Sequence, residues 1–306
     1  MLRELFIGLS TSKSLRHFAE HSAMGQKMSR RFVAGTSVEE LLAATSAVNQ
    51  KGMTVSVDNL GENVTNPEEA RASAALYHQL IDEITSRKLN ANVSLKLTHM
   101  GLDVDEKLAR ELVSGIVEHA VQTNNFVRVD MEGSPYTQRT LDFVHELHAR
   151  PGFDKRVGAV IQAYMRRAED DIKNLLAAGI RIRLCKGAYK EPPEIAFQEK
   201  SKVDENYVHL MKMLLKSGVY HGIATHDERI IEATRQFARQ EKIPPTAFEF
   251  QMLYGIRRDL QEQLAREGWG MRVYIPFGTE WYPYLMRRLA ERPANVLFIA
   301  KNILRR

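Results

Sequence analysis

FVRVDME (126–132) alternates with a period of two. In an extended chain Val127 and Val129 fall on one face, and Arg128 and Asp130 on the other. Seven further segments read as strands: MTVSVDNL (53–60), NVSLKLT (92–98), VGAVIQAY (157–164), IRIRLCKG (180–187), HGIATHD (221–227), AFEFQML (247–253) and MRVYIPFG (271–278). Between them lie apolar-periodic stretches of helix length, among them Glu68–Arg87, Glu106–Gln122, Arg167–Ala178 and Asp227–Gln240. Strand–helix alternation argues for βαβ units and a parallel sheet. Eight repeats argue for closure into an α/β barrel, a (β/α)8 fold. An open doubly wound sheet is the alternative, weakened because no GxGxxG follows the first strand.

Strands covered on both sides normally read as unbroken apolar runs. These do not. In NVSLKLT, Val93, Leu95 and Leu97 oppose Ser94, Lys96 and Thr98. Ile182 and Leu184 oppose Arg181 and Arg183, Phe248 and Phe250 oppose Glu249 and Gln251, and Val273 and Ile275 oppose Arg272 and Tyr274. The apolar sets are expected against the helices and the polar sets inside the barrel. Charges there are costly unless paired or bound to a ligand. Two arrangements satisfy this: a salt-bridged lumen, or a polar site at the C-terminal mouth, where barrel enzymes keep their chemistry.

The 306 residues suit one barrel with a sizeable core. Residues 46–306 are assigned to it as the catalytic domain and residues 1–45 to an N-terminal helical extension, in which Ser37 reads as the N-cap of the stretch LLAATSAV. With 44% hydrophobic and 26% charged residues the composition is that of a soluble globular protein. The net charge of +5 is scattered. No dense basic run with interleaved aromatics accompanies it, so no nucleic-acid partner is expected. Cys185 is the single cysteine, which excludes an internal disulfide and fits a reducing compartment. No signal-peptide core and no 18-residue apolar run occur, so a cytoplasmic location is expected. The excess of positive charge leaves peripheral attraction to an anionic membrane face open.

WYPYLMRRLAERP (281–293) reads as a last helix ended by Pro293. Tyr284, Arg287, Arg288 and Glu291 share one side of it, and Leu285, Met286, Leu289 and Ala290 the other. The polar side is a solvent face with an Arg287–Glu291 pair, or it faces the barrel mouth. In the second case two arginines would grip a carboxylate with a planar bidentate geometry that lysine lacks. Glu291 would accept from a cationic amine, describing an α-amino-acid pocket. Lys96 would add a positive charge. In RLCKGAYKEPPE (183–194), Lys186 and Gly187 sit at a strand end, where backbone and charge can approach a phosphate. THD (225–227) would contribute polar contacts or simply cap the next helix through Asp227. No HExxH or other compact metal motif is present, and no metal is expected.

The ordered set SLKLT, VDME, VIQAY, RLCKGAY, ATHD, FQMLYG, VYIPFG and YLMRRLAER resembles the proline dehydrogenase family from about residue 50 onward. The length resembles its short, monofunctional bacterial members. The resemblance implies a distorted (β/α)8 barrel holding non-covalent FAD. It implies hydride transfer from C5 of L-proline to flavin N5, giving Δ1-pyrroline-5-carboxylate, the first step of proline catabolism, with electrons passing to a quinone. Carried over, Arg287, Arg288 and Lys96 would bind the proline carboxylate and Glu291 would face its amine. Tyr274, Tyr284 and Leu253 would wall the ring. Asp130 would order the site, and Arg183 would lie near flavin N5. Met131 and Gln162 would touch the isoalloxazine. Lys186, Gly187 and Ala188 would serve the phosphates and ribityl chain, and Thr225 and His226 the rest of the dinucleotide. Lys190 is a departure, since many bifunctional relatives carry Trp there; it bears on how the flavin edge or adenine is packed. A related dehydrogenase acting on hydroxyproline is the alternative, opposed by the bulk of Tyr274.

Overall fold

The computed structural model describes residues 16, 17, 19 and 22–291, the side chains of 23, 24, 26–28 and 287–291 excepted. Helices α1 (Ala23–Phe32) and α2 (Val38–Asn49) precede strand β1 (Thr54–Asn59). Then follow α3 (Pro67–Ser86), β2 (Ala91–Leu95), α4 (Glu106–Gln122), β3 (Val127–Val129), α5 (Ser134–His148), β4 (Val157–Gln162) and α6 (Ala168–Ala177). The chain continues through β5 (Arg181–Cys185), α7 (Lys200–Lys216), β6 (His221–Ala224), α8 (Glu228–Gln240), β7 (Phe248–Leu253), α9 (Arg258–Arg266), β8 (Gly270–Phe277) and α10 (Trp281–Glu291). The strands pair in chain order, all parallel, and β8 returns to β1 with Val273 beside Val55 to close the barrel. The expected closed barrel is therefore the fold, and the open sheet is excluded.

Local chemistry sets the helix starts. Asn66, Asp105 and Asp227 accept backbone N–H bonds in the first turns of α3, α4 and α8. Ser37 and Glu40 form the reciprocal capping box of α2, so the Ser37 cap is observed. The alternation also holds. Val93, Leu95, Val127, Val129, Ile182, Leu184, Phe248, Phe250, Val273 and Ile275 are all buried in the main apolar cluster, which lies between sheet and helices. Three strands end about three residues earlier than expected: β3 at Val129, β6 at Ala224, and β2 with a consequence for its polar face. β2 ends at Leu95, and Thr98 lies in a short 3₁₀ turn rather than on the lumen face. Its backbone N–H and hydroxyl both bond the buried Glu132 carboxylate, at 3.1 and 2.5 Å.

The two ends of the chain share the seam between β1 and β8. α2, which runs through residues 45 and 46, packs against both strands and buries Leu41, Leu42, Thr45 and Val48. α10 packs instead on α1. Its Trp281, Tyr282, Tyr284, Leu285 and Met286 form a second apolar cluster with Val33 and with Leu60, which follows the C-terminal end of β1. The last helix thus sits beside the mouth.

Two buried histidines make the fold acid-sensitive. His221 Nδ1 accepts from the Ile182 N–H at 3.0 Å, so its proton is on Nε2, 2.9 Å from Ser217 Oγ. Burial, then the nearby Arg128 and Arg181 charges, push its pKa down to about 3. Burial and the Lys96 charge push His99 down to about 4. A depressed histidine contributes stability above its ordinary pKa of 6.5 that is lost as pH falls toward the folded value. Urea unfolding between pH 7 and pH 4 is therefore expected to lose up to about 1.4 kcal/mol per pH unit for each of the two rings. His221→Gln is expected to flatten that slope by about one proton's worth.

Candidate active site

The lumen is filled by two tiers of polar side chains, joined by Gln251. In the lower tier Arg272 Nε bonds Glu249 at 2.6 Å, and its Nη1 reaches Val55 O at 2.7 Å and Asn92 Oδ1 at 2.8 Å. Glu249 also accepts from Gln251 Nε2 at 2.6 Å and from the Tyr220 hydroxyl at 2.9 Å. Burial opposes its ionisation, but Arg272 holds its pKa below the ordinary glutamate value. Arg128 donates to the Ala159 and Arg181 carbonyls at 2.8 and 2.6 Å. It lies over Gly158, where a Cβ would come within 2.7 Å of the guanidinium. The bare glycine makes the room.

The upper tier centres on Arg183, which is 6% exposed. Its Nη1 donates to Asp130 Oδ1 at 2.7 Å and to Ser94 Oγ at 3.0 Å. Nη2 donates to Ser56 Oγ at 3.0 Å, and Nε to Gln251 Oε1 at 2.5 Å. Ser94 also donates to Asp130 Oδ1, and the Tyr274 hydroxyl to Asp130 Oδ2, both at 2.9 Å. The Tyr274 ring stacks 5.1 Å from the guanidinium carbon. At the rim, Lys96 Nζ lies 3.4 Å from both oxygens of Asp58. Burial pushes Asp58 up to about 6 against the pull of Lys96. Burial works against the ammonium, yet Asp58, Asp130, Glu62 and Glu132 hold Lys96 above its ordinary value.

Lys96, Asp130, Arg183 and Tyr274 thus meet in one constellation at the C-terminal end of the barrel. The next positions form its flank. Met131 is buried beside Asp130. Gln162 donates to Glu132 O at 3.0 Å and accepts from the Ala188 N–H at 3.4 Å, tying two strand-end loops together. Gly187 has φ 118°, a conformation glycine tolerates, and a Cβ there would strike the Tyr164 ring at 2.3 Å. Lys186 pairs with Asp204 and Asp227. Partial burial opposes them, but the ammonium holds both carboxylates below the ordinary aspartate value. These two residues edge a groove of about 510 Å³ between α7 and α8.

Other candidates have structural partners. Thr225 Oγ1 accepts from the Asp227 N–H, and Asp227 caps α8 as well as pairing with Lys186. His226 Nε2 accepts from the Leu253 N–H at 2.9 Å, fixing that half-buried wall residue. Tyr284 packs in the apolar cluster with Leu285 and Met286. The side chains of Arg287, Arg288 and Glu291, and Pro293 entirely, lie outside the described residues. Lys190 is exposed. Ser56, Asp58 and Glu132 were not singled out from sequence. Ser56 and Asp58 share the face of Thr54 in TVSVDN, so the alternation argument, extended to β1, finds them. Among the described residues no group of His, Cys, Asp and Glu has metal-binding geometry, and no helix is long and apolar enough to cross a membrane.

The proline dehydrogenase family model matches residues 41–301. The chain belongs to the proline dehydrogenase family. It is similar to proline dehydrogenase 1 of Bacillus subtilis (strain 168), 42% identical over the whole of both chains. It is also similar to the proline dehydrogenase of Deinococcus radiodurans, 39% identical over 91% of this chain and 90% of that one. Among solved structures, proline utilization A from Bdellovibrio bacteriovorus superposes with a TM-score of 0.82 at 28% identity, over 87% of this chain. This chain spans 33% of that larger protein.

Within this family member the Arg183 network is also a stability element. Removing the guanidinium leaves Asp130, Gln251, Ser56 and Ser94 short of a partner in the lumen. Arg183→Met is therefore expected to cost about 3–5 kcal/mol in urea unfolding. Arg87→Met, which breaks the exposed pair with Glu39, is the control and is expected to leave the urea midpoint nearly unchanged.

Proposed function

We propose that this chain oxidises L-proline to Δ1-pyrroline-5-carboxylate, with FAD as its cofactor and a quinone as the final electron acceptor. The observation that carries the proposal is the Lys96–Asp130–Arg183–Tyr274 constellation at the barrel mouth of a proline dehydrogenase family member. The hydroxyproline alternative finds no support: the relatives described above are named for proline.

The donor set fits the cofactor. A buried guanidinium, the Gln162 amide, an exposed Ala188 and a glycine whose backbone turns without a side chain suit a planar heteroaromatic ring and its chain. Lys186 would offer its ammonium to a phosphate while remaining near Asp204 and Asp227. Thr225 and His226 would border the rest of the dinucleotide. Bound FAD supplies the hydride acceptor. Arg183 would offer that ring a fixed positive charge, which favours electron acceptance. Asp130 acts through others: it holds Arg183 and the Tyr274 hydroxyl, and so sets where the Tyr274 ring stands. Lys96, Arg287 and Arg288 would bind the substrate carboxylate and Glu291 would face the amine. Tyr274, Tyr284 and Leu253 would exclude water from the ring. The basic excess favours peripheral contact with an anionic membrane face, where a quinone is reached.

The absorption spectrum of the purified protein is the direct test. A flavin band that bleaches on adding L-proline is expected. Colourless protein that takes up no flavin and reduces no dye with proline would overturn the proposal. Arg288→Lys is expected to weaken proline binding by about tenfold or more, since the bidentate grip is lost. Unchanged KM and inhibitor affinity would remove Arg288 from the pocket.

A further inference from the structure

Asp58 stands at the mouth with no task in the reaction proposed above. It occupies the penultimate position of β1, level with Ser94 of β2, and is 1% exposed. Both its oxygens lie 3.4 Å from Lys96 Nζ. The Tyr274 hydroxyl lies close enough to act on it electrostatically but donates its hydrogen bond to Asp130 Oδ2. A hydroxyl has one proton to donate. Tyr274 can therefore satisfy one of the two carboxylates fully, and Asp58 depends on Lys96 for the rest.

Among the described residues Asp58 has one ion-pair partner, Lys96. Lys96 comes from the end of β2. Asp130 follows β3 and is committed to Arg183 of β5. Tyr274 comes from β8, and Tyr77 of α3 lies behind the strand with its hydroxyl on Ser94 O. Glu62, Glu132 and the neutral His99 face Lys96 from the loops. Among these groups Lys96 is the positive charge with the largest effect on Asp58. The ammonium that would receive the substrate carboxylate is thus already neutralised by a buried carboxylate.

We propose that Asp58 is a positioning residue that competes with the substrate carboxylate for Lys96, so that carboxylate ligands bind more tightly when Asp58 is protonated than when it is ionised. The proposal rests on the reading that Lys96 meets the substrate carboxylate. Two carboxylates sharing one ammonium at low dielectric repel each other, and protonating Asp58 removes the conflict. Burial places its titration at about 6. Below that value Lys96 is released toward the ligand; above it Lys96 is held at the wall. Affinity therefore falls as pH rises.

The probe is tetrahydrofuran-2-carboxylate, which keeps the ring and carboxylate of proline, lacks the titrating amine and stays ionised over the range used. Its dissociation constant is measured by calorimetry on the flavin-loaded protein at about pH 5.5 and about pH 8. Wild type is expected to lose affinity at least about fivefold over that interval. Asp58→Asn is expected to bind at the higher pH as tightly as wild type at the lower, with the pH dependence gone. A merely structural role would weaken binding at both pH values and keep the slope. An Asp58→Asn protein that retains the wild-type slope, or binds more weakly than wild type at the higher pH, overturns the proposal. A measurement on wild type alone covers the case in which the variant does not fold. Titrations near neutral pH in buffers of different ionisation heat are expected to show net proton uptake, and none would overturn the proposal. Lys96→Met separates the two levels: unchanged affinity in that variant overturns the reading of Lys96 itself.

Discussion

A guanidinium cannot give up its charge, so a barrel that buries one must be built around its five N–H groups. Arg183 imposes that condition here. Four of its hydrogen bonds run to side chains on four different elements: Ser56 of β1, Ser94 of β2, Asp130 after β3 and Gln251 of β7. Each partner must sit at the lumen parity of its strand. The same demand accounts for Gly222, opposite Arg183 in the register of β5 and β6, since a Cβ there would strike the Gln251 amide at 2.3 Å. The polar inner faces are therefore one continuous bonding requirement, distributed around the barrel.

That requirement also settles the two arrangements the strand pattern left open. The lumen is a salt-bridged network in its lower tier, where Arg272 and Glu249 close on each other and on the barrel backbone. It is a constellation at the C-terminal mouth in its upper tier. The two are linked through Gln251, which accepts from Arg183 and donates to Glu249. A rigid floor of this kind holds the mouth residues without side-chain rearrangement, the preorganisation that electrostatic catalysis relies on.

The fold was legible because its signals are local and repeated. Period-two alternation in the strands, helix-length apolar stripes and the Ser37 and Asp227 caps each act within a few residues, and all eight strands lie where the pattern puts them. The chemistry was legible only in part. Arg183, Asp130, Lys96 and Tyr274 lie on polar strand faces or just past the strand ends, so parity aims them inward. Asp58 and Ser56 sit on the same face of β1 as Thr54, and their short polar side chains stand out less in the sequence than the arginines of β5 and β8. Glu132 escaped because its partner, Thr98, lies beyond a strand that ends early. The pairing of Lys186 with Asp204 and Asp227 joins residues far apart in the chain, and spacing carries no trace of such contacts. The cofactor and substrate came from the family resemblance.

The seam between β1 and β8 has a consequence for biosynthesis. Synthesis runs from the N-terminus, and domains generally fold as they emerge. α2 is made before all eight strands, and β8, half of the surface it covers, is the last of them. Until Val273 reaches Val55, the apolar face of Leu41, Leu42 and Val48 has only part of its resting place. Such long-range closure is slow. The nascent chain must therefore carry this helix with its apolar face only partly covered until the eighth strand is in place.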